Sequence, residues 1–213
     1  MRNYNKKLLN IDVKDLPFQN FLTSRYSMTV RVNAKPTYNL AKKEDVSFFN
    51  LTLAAILEGI NEIPEFKRRI LNGQVFEYEK INAVTPIIQK DHTIQEIEVF
   101  PPSEFDDIYK WCEYVENKKN NSENNQYEVN PDLRDSEPIA NFSCIPWIDF
   151  DSMTNIIASA HQVMPVISWG KLVDGKISVS LSASHIFIFG YHFKLFYENI
   201  EKYLKNPELL CSV

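Results

Sequence analysis

Two segments of the sequence combine residue types that could do chemistry. Residues 182–192 read SASHIFIFGYH, so that strand-like alternation of small and polar residues leads to His185, an apolar stretch and one glycine. A histidine at the end of a strand, near the start of a helix, is well placed to act as a general base. A lone histidine beside apolar residues is more often a packed structural residue, so this segment alone leaves both interpretations open.

The second segment, residues 141–152, reads NFSCIPWIDFDS and places Ser143 in a short apolar strand. One interpretation is a buried hydroxyl that bonds to the backbone. The other is a hydrogen-bond donor for an oxyanion that develops during a reaction. The neighbouring Cys144 points to the opposite face of such a strand, so we expect it to pack rather than to react.

Strands and helices must position these two segments, and the residue pattern predicts several of them. Alternation at 26–32 and 177–184 predicts strands. Asp174-Gly175 predicts a hairpin that joins 166–172 to 177–184, and the apolar stripe of 190–205 predicts a final helix. Further predictions are a helix that begins after Ser47 and ends before Pro64, a hairpin at Asn72-Gly73, strands at 84–88, 94–99, 139–147 and 163–169, and a helix at 104–117.

Hairpins outnumber crossover units in this order of elements. We therefore predict the α/β class, with a mixed, antiparallel-rich sheet and helices packed on it. The 213 residues, 44% of them apolar and 24% charged, indicate one globular domain over 1–213. The polar run at 117–137 is typical of a flexible surface loop.

Charge and apolar patterning exclude several classes of protein. The net charge of −5 argues against a nucleic-acid partner. The longest apolar stretch, 48–60, is too short and too interrupted to cross a membrane, and the first residues lack a secretory signal, so we expect a soluble cytoplasmic protein. The three cysteines are widely spaced and the histidines outside 182–192 have no partner at ligand spacing, so we expect free thiols and no metal site.

Four segments taken together resemble the chloramphenicol acetyltransferase family of the trimeric, acetyl-CoA-dependent type. They are YSMTVRV at 26–32, the NFSCIPWIDFDS segment at 141–152, PVISWGK at 165–171 and SHIFIFGYH at 184–192. Their order and spacing agree with the family over most of the chain. The resemblance implies the CoA-dependent acyltransferase fold, a two-layer sandwich of sheet and helices.

The resemblance also implies roles for individual residues. His185 matches the family's general base, which takes a proton from an acceptor hydroxyl as that oxygen attacks the thioester of acetyl-CoA in a ternary complex. Ser143 matches the serine that stabilises the oxyanion. Ser168 matches a threonine that holds a water near that oxyanion, and Lys171 matches a lysine near the CoA 3′-phosphate.

In the family the site lies between the subunits of a homotrimer, and the family is associated with antibiotic resistance. The resemblance places Tyr26, Asn155 and Val166 in the pocket of a small-molecule hydroxyl acceptor, with chloramphenicol as the family's default. Asn155 stands where an apolar residue is expected, which favours a different acceptor.

The sequence departs from the family at two signature positions. The first histidine of the motif is Ser184, and the aspartate that pairs with an N-terminal arginine is Phe189. Arg25, the arginine of the N-terminal segment 18–26, does not align with that partner. Three hypotheses therefore follow: an O-acetyltransferase, a non-catalytic homologue that keeps the trimer and binds a small molecule or protein, and an enzyme with another acyl-thioester or an amine acceptor.

Overall fold

The computed structural model of the protein describes residues 4–89, 91–121 and 135–211. Its strands form a six-stranded sheet in the order β2-β9-β8-β7-β5-β6 and a three-stranded sheet in the order β1-β4-β3. The strands are β1 (Lys6–Asp12), β2 (Arg25–Asn33), β3 (Arg68–Leu71), β4 (Gln74–Tyr78), β5 (Asn82–Ile88), β6 (Ile94–Val99), β7 (Ile139–Cys144), β8 (Val166–Trp169) and β9 (Lys176–Ser184).

The α-helices of the described residues are α1 (Lys35–Lys43), α2 (Phe48–Asn61), α3 (Ile108–Asn120) and α4 (Gly190–Lys205). Short 3-10 helices lie at Val13–Asp15, Pro64–Lys67, Pro102–Glu104 and Pro207–Cys211. None of the helices in this part of the chain is long and apolar enough to cross a membrane.

The pairing of the large sheet is mixed. β7 pairs in parallel with β5 and with β8, whereas β2–β9, β8–β9 and β5–β6 are antiparallel. All pairs of the small sheet are antiparallel. The predicted α/β class with an antiparallel-rich sheet and packed helices is therefore confirmed.

One face of the large sheet joins the apolar core of the protein. Phe142, Ile167, Val179 and Leu181 are fully or almost fully buried there, together with apolar residues of α2 and α4. Because successive strand residues point to opposite faces, the serines that alternate with these residues lie on the other face. The apolar face thus holds the sheet on the helices and leaves the serine face free to form a site.

Several predicted elements end at other residues than expected. The strand predicted at 166–172 ends at Trp169, because the N–H group of Lys171 donates to the carbonyl of Ile148 rather than to β9. The helix predicted at 104–117 begins only at Ile108, since Asp107 caps it by accepting from the Lys110 N–H group. The predicted strand at 139–147 likewise stops at Cys144.

Two turn predictions agree with the backbone. Asn72 and Gly73 both have positive φ angles, 50° and 73°, and join β3 to β4. Asp174 and Gly175 also have positive φ angles, 49° and 77°, and lie in the turn that leads from β8 into β9. Residues 122–134, most of the predicted loop at 117–137, lie outside the described residues.

Candidate active site

Three serines form a row across the middle of the large sheet. Ser143 on β7 is the register partner of Ser168 on β8, which is in turn the partner of Ser180 on β9. Register partners project from the same face of a sheet, so the three hydroxyls lie side by side at strand spacings of about 4.8 Å. We call these three residues the serine row.

The irregular segment 153–155 covers two members of the serine row. The Ser180 hydroxyl donates to the carbonyl oxygen of Met153 at 3.1 Å, and the Ser168 hydroxyl donates to Oδ1 of Asn155 at 2.6 Å. Ser168 is fully buried, whereas Ser143 is partly exposed. No hydrogen bond from the described residues ends on the Ser143 hydroxyl, so it is free to meet a bound molecule.

A cavity of about 510 Å³ opens over the uncovered end of the serine row. Ser143, Ser168 and Asn155 supply polar groups to its wall. Its other lining residues are Val84, Pro86, Ile94, Glu96, Asn141, Phe142, Met153, Ile156 and Val166. A mainly apolar pocket with a few convergent polar groups is the usual form of a small-molecule site.

His185 lies in a different part of the structure, directly after β9. Its backbone N–H group donates to the carbonyl of Ser24 at 2.7 Å, which fixes the turn against the start of β2. The imidazole stacks between the rings of Phe18, at a centroid distance of 4.1 Å, and Tyr26, at 4.6 Å. The ring of Phe189 meets it edge-on at 5.0 Å.

The orientation of the imidazole decides which nitrogen can react. Nδ1 of His185 is buried and has no hydrogen-bond partner among the described residues, whereas the side chain as a whole is half-buried. Nε2 is therefore the nitrogen that can reach a bound molecule. The adjacent Tyr26 is held in place by its own hydrogen bond to the carbonyl of Ile188 at 3.0 Å, and burial raises the pKa of its hydroxyl to about 12.

His185 and Ser143 cannot meet within one chain. The serine row crosses β9 at Ser180, five residues before His185, which is about 16 Å along a strand. Ser143 is two strands away from β9, or about 10 Å across the sheet. The lining of the cavity accordingly includes Ser143 and no histidine.

Arg25 takes no part in an ion pair at the histidine segment. Its two terminal nitrogens donate to the carbonyls of Gln162, Met164 and Ser182 and to the Ser182 hydroxyl. Burial lowers the pKa of its guanidinium to about 10, and the charge of Asp135 opposes that shift. The arginine therefore links β2 to β9 and to the segment that precedes β8 at Met164.

Phe189 and His192 shape the start of α4. Nδ1 of His192 accepts a hydrogen bond from the Phe189 N–H group at 2.9 Å, and its Nε2 lies 3.7 Å from a carboxylate oxygen of Glu65. Burial lowers the pKa of His192, and the Glu65 charge opposes the shift. These contacts hold the His192 side chain at the N-terminus of α4, where it caps the helix.

The remaining candidate residues lie at the edges of the site. Lys171 is exposed, three residues after Ser168 and beyond the end of β8. The Cys144 thiol is mostly buried, and burial raises its pKa to about 12, which suits a packing role. Within the described residues, no group of three or more histidine, cysteine or acidic side chains could hold a metal ion.

The cavity thus unites four of the predicted site residues, Ser143, Ser168, Asn155 and Val166. His185 and Tyr26 are together elsewhere, and Lys171 is not among the residues that line the cavity. Sequence reasoning missed Asn141 and Glu96 as cavity residues. The alternation of β7 could have indicated the first, since Asn141 precedes Ser143 by two residues and shares its face.

Comparison with known proteins adds relatives along almost the whole chain. The sequence model of the family described as "Chloramphenicol acetyltransferase" matches residues 12–201. A chloramphenicol acetyltransferase from Bacillus pumilus is 24% identical over 173 residues, which are 78% of this chain and 77% of the relative.

Solved structures give the same result for the fold. A chloramphenicol acetyltransferase structure superposes with a TM-score of 0.81 at 26% identity and covers 94% of this chain and 100% of its own. A dihydrolipoamide acetyltransferase from Azotobacter vinelandii superposes with a TM-score of 0.63 at 14% identity, over 88% of this chain and 84% of its own. The second likeness concerns the fold alone.

Proposed function

This chain belongs to the chloramphenicol acetyltransferase family, and from that premise we propose that it moves an acetyl group from acetyl-CoA to a hydroxyl of chloramphenicol or a similar small molecule. One observation carries the proposal. The cavity presents the unpartnered hydroxyl of Ser143 but no histidine, while His185 is held by three aromatic rings with Nε2 left to react. The proposed site therefore has two halves: the cavity supplies an oxyanion donor without a base, and the His185 cluster supplies a base without an oxyanion donor.

We infer that the two halves meet between copies of the chain, in a homotrimer. Exposed apolar side chains beside each half support this. Phe21 packs on Phe18, next to His185, and is 63% exposed, and Leu22 is 97% exposed. Ile156 lines the cavity and is 94% exposed. Large exposed apolar side chains at a site mark surfaces that bind a partner.

In the assembled site His185 acts as the general base. Nε2 takes the proton of the acceptor hydroxyl as that oxygen bonds to the acetyl carbon. The Ser143 hydroxyl donates to the carbonyl oxygen while it carries negative charge. When the carbon–sulfur bond breaks, His185 returns the proton to the CoA sulfur. No acyl-enzyme forms, so no nucleophilic side chain is required.

Ser168 and Lys171 have supporting roles in this proposal. The Ser168 hydroxyl gives its hydrogen to Asn155, so its oxygen can still accept from a water that lies near the oxyanion. Lys171 is exposed just beyond the end of the strand that carries Ser168. Its ammonium is therefore open to a CoA phosphate that approaches from solvent. Tyr26 holds His185 by ring stacking, and Val166 forms part of the acceptor wall.

A second candidate is a non-catalytic homologue that keeps the trimer and binds a small molecule or protein. The observation that favours it is the edge-on contact of Phe189 with His185, because this phenylalanine replaces the family's signature aspartate. It predicts binding of a ligand without turnover. Acceptor-dependent release of the CoA thiol therefore decides between the two candidates.

The test follows release of the CoA thiol from acetyl-CoA with a colorimetric reagent, against a panel of hydroxyl acceptors that includes chloramphenicol. We expect acceptor-dependent release by the wild-type protein and a loss of about 10²- to 10⁴-fold in His185→Ala. His92→Ala removes an exposed histidine of the turn between β5 and β6, which does not line the cavity, and keeps the wild-type rate. An undiminished rate in His185→Ala, together with a loss in Glu96→Gln, would assign the base to the cavity carboxylate instead.

A further inference from the structure

Asn155 is a buried side chain of which only one end is paired. Its Oδ1 accepts the Ser168 hydroxyl at 2.6 Å. Its Nδ2 is buried and has no hydrogen-bond partner among the described residues. The residue is 8% exposed. An unpaired buried donor is costly, and a bound molecule that accepts its hydrogen bond removes that cost.

The position of the unpaired amide points to a bound molecule. Asn155 lines the same cavity as Ser143. Its partner Ser168 is the register neighbour of Ser143, one strand spacing of about 4.8 Å away. A ligand whose reacting atom lies at Ser143 therefore places its nearest substituents within reach of the Asn155 amide.

We propose that Asn155 is a specificity-determining residue that selects acceptors with an oxygen able to accept a hydrogen bond, such as a carbonyl or ether oxygen, next to the reacting hydroxyl. This inference rests on the proposed function and names the acceptor class. An acceptor with such an oxygen satisfies Nδ2 when it binds. An acceptor with only hydrocarbon there leaves the donor unpaired and buried, and sites of this kind discriminate strongly.

The Ser168 hydrogen bond sets which end of the Asn155 carboxamide is left for a ligand. Because Oδ1 accepts from Ser168, the NH₂ end of the carboxamide is the one left without a partner among the described residues. Rotation that exchanged the two ends would let NH₂ donate to the Ser168 oxygen and would leave Oδ1 as the unpaired end. The preference of the enzyme for accepting or donating substituents therefore reports directly on this arrangement.

The experiment compares two acceptors that differ in one oxygen. 2-Hydroxyacetophenone carries a carbonyl beside its hydroxyl, and 2-phenylethanol carries a methylene there. We expect the wild-type kcat/KM to be about 10- to 100-fold higher for the ketone. Asn155→Leu, which is close to asparagine in shape, brings the ratio to about one by lowering the value for the ketone alone.

Asn155→Asp is the matched second variant, because it keeps the shape and the acceptor for Ser168 but loses the donor. It also abolishes the preference for the ketone. Equal losses for both acceptors in both variants would mean that Asn155 acts on the acetyl group instead, and an unchanged ratio would mean that it meets no ligand. Either result overturns the proposal.

A binding measurement separates this inference from the proposed function. In protein labelled with ¹⁵N at asparagine, the side-chain amide signals of Asn155 are identified by their loss in Asn155→Asp. We expect them to shift with 2-hydroxyacetophenone and to stay in place with 2-phenylethanol. A shift without any thiol release refutes the transferase and keeps the acceptor selection, whereas thiol release without a shift refutes the selection alone.

Discussion

The serine row and the cluster of rings around His185 are two parts of one proposed site that are held in place by different forces. The serine row is fixed by directional hydrogen bonds, from Ser180 to Met153 and from Ser168 to Asn155. The imidazole is fixed by the shapes of the Phe18 and Tyr26 rings that enclose it. Its ring nitrogens have no hydrogen bond to the described residues.

This difference explains which substitutions each part can accept. A buried charge left without its partner costs about 3–5 kcal/mol, whereas replacing a whole ion pair by apolar packing can be neutral. Around His185, Phe189 stands where the resemblance predicts an aspartate, and the terminal nitrogens of Arg25 are satisfied by carbonyls and a hydroxyl. Packing thus stands in the place of charge around His185, while Arg25 is satisfied at its terminal nitrogens and keeps a buried Nε without a partner among the described residues.

The largest expected effect tests whether the two parts join across a subunit boundary. We expect His185→Ala and Ser143→Ala each to lose at least about 10²-fold in the thiol-release assay. When the two are mixed and refolded as hybrids, a site formed by the histidine of one copy and the serine of the next is intact in one case of four. We expect recovery to about a quarter of the wild-type rate.

The double variant His185→Ala/Ser143→Ala provides the control for this mixture. Its hybrids with either single variant contain no intact site and should stay inactive. Differently tagged chains allow mass spectrometry to verify that mixed oligomers have formed. Absence of recovery in verified hybrids of the two single variants would show that the residues do not complete each other's site.

A smaller effect is expected from the variant Phe189→Asp, which introduces the aspartate that the family has at this position. The new carboxylate does not meet a free Arg25 fork, because both terminal nitrogens of Arg25 donate to Gln162, Met164 and Ser182. Since Phe189 is partly exposed, we expect a loss of about 1 kcal/mol, or about 2–4 °C in the melting temperature.

The thiol-release rate of Phe189→Asp should not exceed the wild-type rate. Phe189→Leu, which keeps the apolar contact with His185, is the matched control and should melt close to the wild type. A higher melting temperature or a faster rate in the aspartate variant would contradict the view that packing has replaced the ion pair.

The sequence predicted the elements that carry their own periodic signal. The final helix appeared at 190–205 as predicted, and the alternation of Ser178, Ser180 and Ser182 with apolar residues indicated β9. Two elements were missed because their signal is weak. β1 is an exposed edge strand rich in lysine, and α1 lacks a side-chain cap. Packing supports α1 instead, as Thr37 donates to the carbonyl of Leu204 at 2.6 Å.

The site was predictable only in part, for a similar reason. The motifs around Ser143 and His185 indicated the two groups to which the proposal assigns the chemistry. The Ser168–Asn155 pair depends on an irregular segment that crosses the sheet, and no local pattern predicts its path. The stacking of Phe18 on His185 joins residues 167 positions apart and follows from tertiary packing alone.

The smallest expected effect concerns His192, the polar contact that borders the aromatic part. Because its pKa in the folded protein lies below the ordinary 6.5, the folded state binds fewer protons than the unfolded state in that range. Its contribution to stability is present above pH 6.5 and is lost as the pH falls from 6.5 toward the folded pKa. Protonation of Nδ1 also removes the acceptor for the Phe189 N–H group.

His192→Gln keeps an acceptor at this helix position without titrating, so the drop in melting temperature between pH 7.5 and pH 5.5 should shrink by up to about 2 °C. The same drop in the variant and the wild type would mean that His192 does not couple protonation to the helix start.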